Sequence, residues 1–151
     1  MKNRILILGN NDFSRECYEN GVFKINNKNY IKYLYKEYDV DNFSKENLNC
    51  ISARCMCRLF CELYKYSKCV ISLGIDEIKN NTISSFEYEL KELVNYLISR
   101  NIEPVLLEID SDKYNVEEVN SIIRKVCKEY KLKNDLFNNP GSFNPKLQLC
   151  H

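Results

Sequence analysis

Arg4-Ile5-Leu6-Ile7-Leu8-Gly9-Asn10-Asn11 decides the fold of this chain. Four consecutive apolar residues stopped by a glycine do not alternate, so they suit a strand buried on both faces, as in a parallel sheet. Cys69-Val70-Ile71-Ser72-Leu73-Gly74 repeats that form, and Pro104-Val105-Leu106-Leu107-Glu108-Ile109 repeats it again. Asp39-Val40-Asp41-Asn42-Phe43 reads as a short strand between the first two, and Leu132 to Leu136 as a last one.

Helical spacing fills the intervals. Phe86, Leu90, Leu93, Val94, Leu97 and Ile98 recur on one face, with Ser84 and Glu87 set as a capping box. Val119, Ile122, Ile123, Val126, Cys127 and Tyr130 form a second stripe behind Asn115 and Glu118, a further expected cap. A helix is expected from Ile51 to Tyr66, packed through Ala53, Met56, Cys57, Phe60 and Tyr64, another over about Tyr30 to Tyr38, and one directly after Gly9-Asn10-Asn11-Asp12. Strands joined by helices imply right-handed crossovers and a three-layer α/β/α sandwich. The expected sheet is flavodoxin-like, parallel and five-stranded, in the order 2-1-3-4-5.

Composition sets the outer limits. The 151 residues, 44% of them apolar, are enough for one domain that buries roughly 70% of its unfolded-chain surface. With 22 Lys+Arg against 21 Asp+Glu, the chain has no net field to draw nucleic acid or an anionic membrane. No run approaches the ~18 apolar residues of a membrane span, and Ile5 to Leu8 is too short for a signal peptide. A cytoplasmic protein is expected, with its eight cysteines as reduced thiols. The twenty asparagines and sixteen lysines read as compositional bias.

In doubly wound sheets, ligands sit beyond the carboxyl ends of the strands. The segments leaving those ends are Gly9-Asn10-Asn11-Asp12-Phe13-Ser14, Asn42-Phe43-Ser44-Lys45-Glu46-Asn47, Gly74-Ile75-Asp76-Glu77, Asp110-Ser111-Asp112 and the tail from Asn138 to His151. Their order and spacing resemble the SGNH (GDSL-type) hydrolases, esterases and acyl hydrolases on a flavodoxin-like fold. In that family a Gly-Asp-Ser block supplies the nucleophile, a glycine and the Asn of Gly-x-Asn-Asp supply oxyanion donors, and a late Asp-x-x-His supplies acid and base. The resemblance places Asn11 at the nucleophile and Asp76 at the oxyanion Asn. It places His151 at the base, with Gln148 where the acid stands. Gly9 and Gly74 match, while the Asn42 to Asn47 block has no glycine. The resemblance thus implies one SGNH-like domain over residues 1–151, ending without the family's usual closing helix.

These substitutions have chemical consequences. An amide cannot be deprotonated into a nucleophile by an imidazole, so Asn11 cannot form the acyl-enzyme that serine forms. A carboxylate at Asp76 repels a developing oxyanion where an amide would donate to it, and losing one such donor costs roughly 10² to 10³ in rate. Ser14 is the nearest substitute nucleophile and otherwise a first-turn helix residue. His151 is otherwise a solvated chain end. Gly9, Asn10, Asn47, Gly74 and Asp76 are the expected substrate-binding residues, and Asn11, Ser14 and His151 the catalytic candidates.

Two other constellations are set aside. Asp12, Asp76, Glu77, Asp110 and Asp112 gather acids at strand ends, yet no Asp-x-Asp follows the first strand and no receiver-like lysine follows the last. Cys50, Cys55, Cys57, Cys61 and Cys69 lack paired knuckles and a nearby histidine, so they read as apolar packing and not as zinc ligands. The tyrosines from Tyr30 to Tyr66 read as packing or rim residues. No metal and no cofactor are expected. The expected function is ester hydrolysis by ancestry, weak or absent here, on a small acyl-ester-like ligand. The alternative is a non-catalytic small-molecule-binding or protein-interaction module on the same scaffold.

Overall fold

The computed structural model describes residues 2–10, 16–19, 22–25 and 29–132. Strand β1 (Arg4–Gly9) is followed by β2 (Glu16–Glu19), β3 (Val22–Ile25), α1 (Asn29–Glu37), β4 (Asp39–Ser44), α2 (Cys50–Leu63) and β5 (Lys68–Ser72). Then come α3 (Ile75–Lys79), α4 (Ile83–Ser99), β6 (Glu103–Leu106) and α5 (Glu117–Tyr130). The main sheet runs β4-β1-β5-β6 with every pair parallel. Numbered by their succession in this sheet, the strands stand in the order 2-1-3-4. The described sheet therefore has four strands. The expected fifth, Leu132 to Leu136, falls almost wholly outside the described residues.

Strand β1 is central and its whole apolar run is used. Ile5 and Ile7 join Val70, Val105 and Leu107 beneath Ile31 and Leu34 of α1. Leu6 and Leu8 face the other way, into a larger core with Cys69, Ile71 and Leu106 from the sheet, Ala53 and Cys57 from α2, Leu93 from α4 and Val126 from α5. Successive residues of a strand point to opposite faces, so a continuous apolar run is what a strand with helices on both sides needs.

Three local expectations are corrected. In the region where a helix is expected after β1, residues 16–19 and 22–25 form an antiparallel strand pair, β2 and β3, with Glu16 opposite Ile25 and Glu19 opposite Val22, while residues 11–15 lie outside the described residues. The sequence carried the signal, because the two residues between these strands are Asn20-Gly21, the strongest short-range marker of a hairpin. Helix α4 begins at Ile83 with Thr82 as its N-cap, and no side chain caps it. Ser84 thus lies inside the helix, and the Glu87 carboxylate is drawn instead to Lys91 at 2.9 Å and Lys125 at 3.0 Å. Helix α2 stops at Leu63, leaving Tyr64 exposed under the Arg4 guanidinium, while Cys50 and Cys61 complete its buried face.

Several asparagines prove structural. Asn47, Asn81 and Asn101 take left-handed backbone at φ 65°, 56° and 58°, a region that asparagine enters more readily than other non-glycine residues. Asn49 caps α2, accepting from the Ser52 N–H at 2.8 Å. No described helix is long and apolar enough to cross a membrane.

Candidate active site

The chain leaves β1 at the point where the sheet order reverses, with β4 on one side and β5 on the other, which is where doubly wound folds open a crevice. Backbone bonds fix this exit on both flanks. The Asn10 N–H donates to Ser72 O at 3.2 Å, and the Lys45 N–H donates to Gly9 O at 3.1 Å. A cleft of about 150 Å³ opens above, lined by Asn10, Glu46, Asn47, Ile75, Lys79, Asp110, Ser111 and Tyr114.

Each wall has its own support. The loop after β4 turns at Asn47, whose Oδ1 accepts from Lys79 Nζ at 3.1 Å. Helix α3 starts from Gly74 at φ 134°, where a side chain would run into Val119. The loop after β6 is held by buried Asn120, which accepts from the Ile109 N–H at 2.8 Å and donates to Ile109 O at 2.9 Å. Ser111 Oγ accepts from the N–H groups of Lys113 and Tyr114 at 3.1 and 3.2 Å, leaving its own proton without an acceptor among the described residues.

Asn10 and Asn47 line the cleft; Gly9 and Gly74 serve it through backbone. Asp76 is buried, and its carboxylate accepts from Asn80 Nδ2 at 3.1 Å, one turn along. It is not among the lining residues. Asn11, Ser14 and His151 lie outside the described residues, as do Asp12 and Gln148. Glu77 is buried too, and its Oε2 accepts from the Cys50 N–H at 2.9 Å. Burial pushes the Glu77 carboxyl above its usual range, against the pull of that N–H. Among the described residues, no group of three His, Cys, Asp or Glu side chains is placed to hold a metal ion. Lys79 and Tyr114 lie beyond the strand-end segments of the sequence, and only the packed positions of α3 and the β6–α5 loop bring them to the cleft.

The chemistry on offer is polar binding. Amides at Asn10 and Asn47 and the Lys79 ammonium can donate to a carbonyl, Glu46 and Asp110 can accept, and Ile75 gives an apolar contact.

Solved structures share this arrangement of strands and helices. AlinE4, described as an SGNH-hydrolase family esterase, superposes with a TM-score of 0.70 at 14% identity, covering 96% of this chain and 84% of that one. TesA gives 0.69 at 15%, covering 95% and 87%. The psychrotrophic esterase EstA from Pseudoalteromonas sp., whose structure was also determined inhibited by monoethylphosphonate, gives 0.66 at 18%, covering 87% and 75%. The fold is that of the SGNH esterases. No family model and no curated protein sequence matches the chain. At these identities the likeness reaches the SGNH fold and stops there, because site chemistry varies independently of scaffold.

Proposed function

We propose that this protein binds a small acyl-ester-like ligand in its strand-end cleft, in the cytoplasm, and hydrolyses it weakly or not at all. The observation that carries this reading is the cleft itself. It stands at the reversal point of an SGNH-type sheet and is lined by the amides of Asn10 and Asn47. Two substitutions support loss of turnover: an amide at Asn11 in place of a nucleophilic hydroxyl, and a carboxylate at Asp76 in place of a donor. The Asp76 carboxylate further accepts from Asn80, the C-cap of its own helix.

The test is hydrolysis of short aryl esters and acetylated sugars by the native chain and by Asn11→Ser, Ser14→Ala and His151→Ala variants. A silent native chain and a gain in Asn11→Ser support the reading. Efficient native turnover that His151→Ala abolishes overturns it. A second reading, a non-catalytic interaction module, draws on one feature of α2. Ile51, Leu59 and Leu63 there are 50%, 59% and 72% exposed. Light scattering of the native chain beside Leu59→Ser and Leu63→Ser variants distinguishes it, since self-association lost in both variants favours that reading.

A further inference from the structure

A carboxylate buried beneath the cleft is spent on a backbone group of another element. Glu77 on α3 is 4% exposed, and its Oε2 accepts from the N–H of Cys50, the first residue of α2. That N–H is one of the donors a helix start leaves without an internal partner. The helix's own N-cap, Asn49, serves Ser52 instead, and no acidic residue stands in the first turn of α2. Glu77 therefore supplies to α2, across 27 residues of chain, an acceptor for one of its N-terminal N–H groups. The arrangement is costly, because Glu77 Oε1 is buried without a hydrogen-bond partner among the described residues. A local Ser or Asp would cap α2 without that cost. What a local cap would not do is tie α2 to α3.

We propose that Glu77 is a positioning residue for the cleft. By accepting the Cys50 N–H it joins α3 to the loop before α2, so that Ile75 and Lys79 from one and Glu46 and Asn47 from the other form a single wall. Lys79 Nζ to Asn47 Oδ1 closes the same seam at the exposed mouth, and Glu77 closes it at the buried base. The loop is in turn fixed to β1 by the Lys45 N–H to Gly9 O bond. The wall thus inherits the rigidity of the sheet through two consecutive links. This assignment rests on the cleft being the ligand site, yet the wall itself can be tested without any ligand.

Amide hydrogen exchange is compared among the native chain, Glu77→Leu, Glu77→Gln, Cys50→Pro and the Leu/Pro double variant. Leucine keeps bulk but cannot accept; glutamine can. Proline removes the donor at the first helical position, where it is tolerated, and Asn49 before it is already extended. The Leu and Pro variants should each exchange about tenfold faster at Lys45, Ile78 and Asn80 relative to Leu6 and Leu8. The Gln variant should exchange as the native chain does, and the double variant no faster than either single one. Uniform acceleration that includes β1, acceleration equally large in Glu77→Gln, additive effects or no change overturns the proposal. If Glu77→Leu does not fold, Cys50→Pro against Glu77→Gln decides it. A chain that binds no ester while passing this test refutes the ligand reading and leaves the brace standing.

Discussion

Replacing Gly74 by alanine should destabilise the fold and displace α3 from the cleft. An ideal Cβ at Gly74 would lie 2.4 Å from Cγ1 of Val119, 3.3 Å from Cδ1 of Ile109 and 3.5 Å from Cζ of Phe86. Val119 and Phe86 are both 0% exposed, so neither has open space to move into. Overpacking of this kind costs about 1 to 3 kcal/mol. The backbone adds its own share, since φ of 134° is a region that residues with a Cβ rarely adopt, at about 1 to 3 kcal/mol. The combined loss, about 2 to 6 kcal/mol, is a large part of the about 5 to 15 kcal/mol that holds such a domain. Urea unfolding followed by far-UV circular dichroism reads it as a lower midpoint at unchanged slope. Val119→Ala in the same chain should relieve the clash but not the backbone strain, so the double variant should be about 1 to 3 kcal/mol more stable than additivity predicts. A Gly74→Ala chain within about 0.5 kcal/mol of native, or strict additivity with Val119→Ala, would refute the reasoning.

Glu77→Gln tests the buried carboxyl by linkage. Because burial, reinforced by Asp76 alongside, raises the Glu77 pKa above the unfolded value of 4.5, its protonated form favours the fold. That contribution is full below 4.5 and is lost as pH rises through the folded value. The stability of Glu77→Gln minus that of the native chain should therefore grow from pH 4 to pH 8 in paired urea titrations, and a pH-independent difference would contradict it. Asn120→Ala leaves the buried Ile109 N–H and C=O without partners and should cost about 2 to 4 kcal/mol by the same assay, with a loss near zero counting against a two-bond role. Of Cys50, Cys55, Cys57, Cys61, Cys69 and Cys127, only Cys55 is exposed, whereas burial drives the Cys50 thiol well above its ordinary range. Brief iodoacetamide treatment with peptide mass spectrometry should modify Cys55 well before Cys50, and the reverse order would contradict the packing.

The parts of this fold legible in sequence are those where burial dictates residue type. Ile5 to Leu8, Cys69 to Ile71 and Val105 to Leu107 lie between two helical layers, so their apolar runs are continuous. Helices α4 and α5 face the core on one side and show the helical period. The β2–β3 pair conflicts with the βαβ frame, which predicts a helix there, although Asn20-Gly21 between the two strands is a hairpin signal. The Ser84/Glu87 capping pattern misled because Glu87 finds stronger partners in Lys91 and Lys125. At the site, the rule of strand ends singled out Asn10, Asn47 and the Asp110-Ser111 segment. It could not foresee that Asp76 turns to Asn80 or that Glu77 reaches Cys50, since both follow from burial and not from spacing.

The left-handed asparagines bear on how the unfolded chain behaves. Only four glycines occur in the sequence, and the turns at Asn47, Asn81 and Asn101 are built without one. A glycine would enter that backbone region more easily, but it would also give the unfolded chain more conformations to surrender on folding. Asparagine concedes some strain in the native turn and recovers part of it as a smaller entropy loss. An excess of asparagine that first reads as indifferent polarity thereby narrows the ensemble from which this protein must fold.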